Sequence, residues 1–162
     1  MAMASDPKRE LLRHTLATLA YRGGKALSGA PAAFATMQVG ADGRTPAQIL
    51  AHLGDLLEWA LGLARGHHVW KEAPVQPWQE ESGRFFAALA GLDAYLASEA
   101  PLGAPAEKLF QGPIADALTH VGQLAMLRRI GGWPMRGENY FVADIVMGHV
   151  GAQQPAPVRE FD

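Results

Sequence analysis

Two histidines and an aspartate are the residues whose types and spacing point most directly to chemistry. Asp116 and His120 stand four residues apart in a stretch with helical periodicity, so their side chains share one helix face, one turn apart. Leu124 and Leu127 continue that face, which therefore points inward. His52 borders a second apolar helical stripe, formed by Ile49, Leu53 and Leu56. Two imidazoles and a carboxylate converging between two helices would form a 2-His-1-carboxylate set. Such a set binds a divalent ion such as Fe(II), Mn, Ni or Zn and leaves coordination positions open. A plainer reading competes with it. Asp116 falls in the expected first turn of its helix, where a carboxylate is favoured by the dipole alone, and His52 is then a partly buried histidine with a backbone partner. Spacing does not say that the two helices are neighbours. A separation of more than about 10 Å between His52 and His120 would exclude a shared site.

The other candidates carry less. His14 lies opposite Leu12, Leu16 and Leu19 on the helical wheel and reads as exposed, while His67 and His68 sit in a loop and His149 in the tail. Asp55, one turn from His52, is either an acceptor for an imidazole N–H or a solvated helix residue. Gln123 lines a pocket or bonds a neighbouring helix. Arg128 and Arg129 either hold an anion or complement the end of their helix. Trp59, Trp70, Trp78 and Trp133 read as packing residues. Phosphate-binding loops, dinucleotide fingerprints and nucleophile elbows are absent.

Four helices must position these groups. The first begins at Asp6-Pro7, a cap followed by a proline suited to the first helical position, and weakens at Gly23-Gly24. Residues 28–44 form a long connection. The second helix starts at the capping box of Thr45 and Gln48, carries the stripe Ile49, Leu53, Leu56, Leu57, Ala60 and Ala64, and ends at Arg65-Gly66. Residues 66–77 form a loop. The third helix spans Pro77 or Trp78 to about Ala100, with Glu80 and Glu81 in its first turn and Phe85, Phe86, Leu89, Leu92 and Leu96 on its apolar side. The fourth runs from Gly112-Pro113 to Ile130 and is apolar on two sides, as a helix buried among several neighbours must be. A short helix near residues 139–147 and an extended tail complete the chain. The expected architecture is all-α, an up-down four-helix bundle with a long crossover connection.

The chain has 162 residues, which suits one domain. Half of the residues are hydrophobic (49%) and the formal charge is -2, so a basic nucleic-acid footprint is missing. Cysteine is absent, which excludes disulfides and thiolate ligands. Apolar runs are too short to span a bilayer, and Met1 to Glu10 lack the apolar core of an export signal. The expectation is a cytoplasmic protein with neither membrane nor nucleic acid as a partner.

The segment Ala115 to Leu124, which ends in His120-Val121-Gly122-Gln123-Leu124 and is followed by Arg128-Arg129, resembles the last-helix signature of the DinB/YfiT-like bundles, H-x-x-x-H-x-G-Q-L and then an arginine. Thr45 to Leu53 is similar to that family's other metal-bearing helix, and Gly137 to Gly151 to the end of some of its members. The resemblance covers about residues 8–150, in one domain over 1–162. It implies a four-helix bundle, often a homodimer, with a three-ligand divalent metal site. Carried over, the ligands are His52 and His120, and the remaining position falls on Asp116, where the family pattern has histidine. The resemblance further implies metal-dependent hydrolysis, or thiol-dependent transfer or isomerisation, on a small molecule. A non-catalytic bundle, serving as a binding or stress-response module with a degenerate site, is the alternative.

Overall fold

The computed structural model describes residues 6–161. Residues 1–5, part of the Met1 to Glu10 reading, lie outside them. The chain is helical, and its helices are α1 (Pro7–Leu27), α2 (Ala32–Ala35), α3 (Pro46–Ala64), α4 (Trp78–Ala97), α5 (Ala106–Leu109) and α6 (Ala115–Ile130). The sequence signals for the starts of α1 and α3 hold. Asp6 accepts from the Lys8 and Arg9 N–H groups with Pro7 in the first helical position. The capping box of Thr45 and Gln48 closes in both directions. The stripe of α3 is buried as expected, from Ile49 to Ala64.

Other boundaries differ for identifiable reasons. α1 continues through Gly23-Gly24 to Leu27; a Cβ at Gly23 would stand 2.8 Å from Phe85 Cζ, so the glycine serves close packing of α1 on α4. α4 stops at Ala97 rather than Ala100, because Ala100 precedes Pro101 and residues before proline avoid the α region. The last helix begins earlier than Gly112-Pro113. The helical path starts at Ala106, passes through a wide π turn over Phe110–Ile114 and continues into α6. Pro113 lies inside that turn. Proline has no N–H to donate and crowds the preceding turn, and the widening accommodates it. The helix expected near residues 139–147 is only a single 3-10 turn, Tyr140–Val142.

Packing partners set the helix directions. Arg13 bonds Asp93, and Gly23 faces Phe85, so α1 and α4 run antiparallel. α3 and α4 run in the same direction: Arg84 reaches Ala51, Asp55 and Glu58, Gly91 faces Leu61, and Arg65 lies over the Tyr95 ring. α1 also follows α6, through Gly23 beside Val121 and Ala26 beside Arg128. Residues 65–77 therefore travel back along α3, an end-to-end crossover. The principal contacts of α1 and of α3 are with both α4 and α6. The core between them includes Leu16, Leu19, Leu50, Leu53, Leu57, Phe85, Leu89, Leu92 and Leu124. Phe34 of α2 is fully buried and takes Trp78 and Trp133 edge-on.

The crossover is held by a buried ionic knot. Arg84 bonds Asp55, Glu58 and Glu81. Asp55 also accepts the Ala73 N–H and Glu81 the Gln76 N–H, so the carboxylates tie the loop to both helices. Asp55 is 5% exposed, and the solvated-residue reading is thereby corrected. Replacing Arg84 with Met leaves Asp55 and Glu81 buried without their cation. Removing one partner of such a group costs about 3–5 kcal/mol, and urea unfolding of Arg84→Met against wild type measures it.

Candidate metal centre

The middle of α3 faces the beginning of α6, and that contact brings His52, Asp116 and His120 together. One ligand atom from each lies within 4.8 Å of the others. Asp116 Oδ1 is 3.2 Å from His120 Nδ1 and Asp116 Oδ2 is 3.7 Å from His52 Nε2. The two imidazole centroids are 4.6 Å apart, well inside the limit set above. Tetrahedral ligands at about 2.0–2.2 Å from an ion stand about 3.4 Å from each other, so the three side chains must draw together to close on an ion.

The protonation pattern suits ligation. His120 Nδ1 lies 2.7 Å from the Asp116 carbonyl oxygen, which can only accept. Nδ1 therefore carries the proton, and Nε2 keeps its lone pair, the tautomer fixed by a backbone bond that is usual for histidine ligands. His52 is pushed below the ordinary imidazole range, first by burial, then by the neighbouring His120 and by Arg44, against the opposing pull of Asp116 and Asp55. That direction favours the neutral imidazole, the form a ligand must take.

The dipole reading does not account for Asp116. The backbone ahead of it is already helical, and the Ala115 N–H is bonded to carbonyls of the π turn. Asp116 thus does not cap an open helix end. Its carboxylate is half exposed and lies between two imidazoles. The donor set of two nitrogens and one carboxylate oxygen would fit Fe(II), Mn, Ni or Zn, and three such ligands would leave positions for water or a substrate.

Trp70 forms one side of the site. Its ring is 5.6 Å from His52 and stands edge-on to Trp59 at the same distance, while 39% of the residue remains exposed. The sequence reading treated these tryptophans as packing alone. The missing signal was the path of residues 65–77, which lays Trp70 across α3. Asp55 bonds Arg84 and a loop N–H, and no bond from it to an imidazole is seen among the described residues. His67, His68, His14 and His149 are exposed and stand outside the cluster. Arg128 is buried and bonds three carbonyl oxygens, as described below. No family model, curated protein or solved structure matches the chain.

The lowered His52 value has a direct readout. Between that value and the unfolded one near 6.5, the native state binds fewer protons than the unfolded chain. The stabilisation from a neutral His52 is therefore complete above about pH 6.5 and is lost as pH falls toward the native value. In metal-free protein, an NMR titration of the His52 ring is expected to give a midpoint below about 6.5; a midpoint at or above that value contradicts the burial argument.

Proposed function

We propose that this chain is a DinB-like four-helix metalloprotein of the cytoplasm that holds a divalent ion with His52, Asp116 and His120 and acts on a small molecule. The convergence of these three side chains between α3 and α6 is the observation that carries the reading. The tautomer of His120, the lowered pKa of His52 and the order of the two sequence motifs support it. When bound, the ion supplies Lewis acidity toward a water or a thiol. The chain's own residues set what surrounds it: the two imidazoles fix two positions, Asp116 holds negative charge on the solvent side, and Trp70 walls one approach. The activity class that this supports is metal-dependent hydrolysis or thiol-dependent transfer or isomerisation. No helix among the described residues is long and apolar enough to cross a membrane.

Aspartate in place of the family's histidine favours a second reading, a non-catalytic binding or stress-response module whose site has degenerated. Elemental analysis of untagged protein separates the two. Stoichiometric metal that is lost in His52→Ala is the expected result; metal-free protein with unchanged stability in that variant supports the module. The carboxylate should also tune selectivity, since harder ions such as Mn(II) or Fe(II) prefer oxygen donors. Asp116→Ala is expected to weaken metal binding without unfolding α6, and Asp116→His to shift preference toward Zn or Ni, both read in competition titrations. Unchanged affinity in Asp116→Ala removes Asp116 from the ligand set.

The proposal includes a homodimer. Leu11 and Phe110 are exposed and line one apolar groove between α1 and α5, and Met126 and Ile130 are exposed on α6. Large exposed apolar patches are uncommon on monomers, and a two-fold interface would cover these residues. Light scattering at micromolar concentration is expected to give twice the chain mass, and the mass of one chain contradicts the dimer.

A further inference from the structure

The end of α1, the end of α6 and the C-terminal segment border an open cavity of about 570 Å³, lined among others by Tyr21, Lys25, Arg128, Met135, Gln154 and Pro157. Two cations border it, and their surroundings differ. Lys25 is neutralised by Glu138 and Glu160, each at 2.9 Å. Arg128 is 7% exposed and forms no ion pair with any carboxylate among the described residues. Its Nε donates to the Trp133 carbonyl, and its Nη1 to those of Ala26 and Ser28.

Those bonds account for Arg128 as a cap on the end of α1, where unpaired carbonyls need donors. They do not account for its charge. Neutral donors satisfy carbonyls equally well, whereas a buried guanidinium without a counter-ion carries a large desolvation cost. Burial holds its pKa below the usual value, which reflects the same imbalance. The bonds also leave Nη2 without an acceptor among the described residues, and Nη2 is not among the fully enclosed unpartnered atoms. A spare donor on an unneutralised cation therefore borders a cavity within the range of small-molecule sites, about 300–1,000 Å³.

We propose that this cavity binds a small organic anion, with Arg128 Nη2 donating to one anionic oxygen and the body of the ligand lying against Met135 and the prolines of the tail. With Nε and Nη1 committed to carbonyls, the two-pronged guanidinium fork is not available. Arg128 then offers a single contact, which a carboxylate or a phosphate oxygen satisfies alike. The site is separate from the metal centre: His120 and Arg128 are eight residues apart on α6, about 12 Å along the axis.

The test titrates 15N-labelled full-length protein with hexanoate and, separately, with inorganic phosphate at constant ionic strength, following the Arg128 Nε–H resonance by NMR. A saturable shift with either probe is expected, and the probe that produces it identifies a carboxylate or a phosphate ligand. Arg128→Met removes the cap on α1 as well as the charge, so the informative variant is Ala152→Trp, which fills the cavity from an exposed position on its rim. That variant should bind about tenfold more weakly or worse while the Arg128 Nε–H signal persists, showing the cap intact. Two results overturn the proposal: no saturable shift with either probe up to about 10 mM, or Ala152→Trp binding as tightly as wild type.

Discussion

The guanidinium of Arg84 must serve three carboxylates and a backbone carbonyl at once, and much of the architecture answers to that demand. α3 supplies Asp55, Glu58 and the Ala51 carbonyl, and α4 supplies Glu81. One cation facing three anions leaves an excess of negative charge, and Asp55 and Glu81 are nearly without solvent. Backbone N–H groups of the crossover take up part of that excess, at Ala73 and Gln76. Hydrogen bonds from a backbone N–H to a carboxylate stabilise the charged form. The knot thus fixes three things together: the shared direction of α3 and α4, the return path of residues 65–77, and the placement of Trp70 on that path beside His52. A buried ionic group is weak evidence for net stability; what this one fixes is an arrangement, the one that the candidate site needs.

Asp116 does two jobs with two different parts. Its main-chain oxygen fixes the proton on His120 Nδ1, and its carboxylate sits between the rings of His52 and His120. A histidine at the same position would keep the first job, since any residue has that carbonyl, and would alter only the second. The orientation of His120 is therefore a property of the helix, whereas the charge of the site is a property of the side chain at 116.

The local features were legible because their causes are local. A capping box needs only Thr45 and Gln48, and the stripe of α3 needs only the helical period. The i, i+4 pair on α6 was legible in the same way, and so was His52 as a histidine bordering the stripe of α3; that the two helices are neighbours was not. What escaped was long-range. Asp55 read as a solvated residue because its partner lies 29 positions away in Arg84. The common direction of α3 and α4 was hidden because a loop of given length permits either a hairpin or a return. The order in the tail was hidden too: Glu138 reaches Tyr21 and Lys25 across more than a hundred residues, and no periodic pattern marks it. The π turn was missed for another reason, since Pro113 read as a start signal rather than as an interior residue needing accommodation.

That π turn sets the phase between two buried surfaces. α5 buries Ala106 and Leu109, and α6 buries Ala117, His120, Val121 and Leu124; both belong to one continuous helical path. In a plain α-helix each residue advances the direction of its side chain by about 100°, so a single residue more or less between 110 and 114 would swing one surface away from its neighbours. The wide turn absorbs that mismatch, working as a coupling with its own angular offset between two shafts. Residues before it can thus be shaped by packing against α1 while residues after it keep their bearing toward His52. Length changes in this segment should consequently be far less forgiving than substitutions, although it lies at the surface for part of its course.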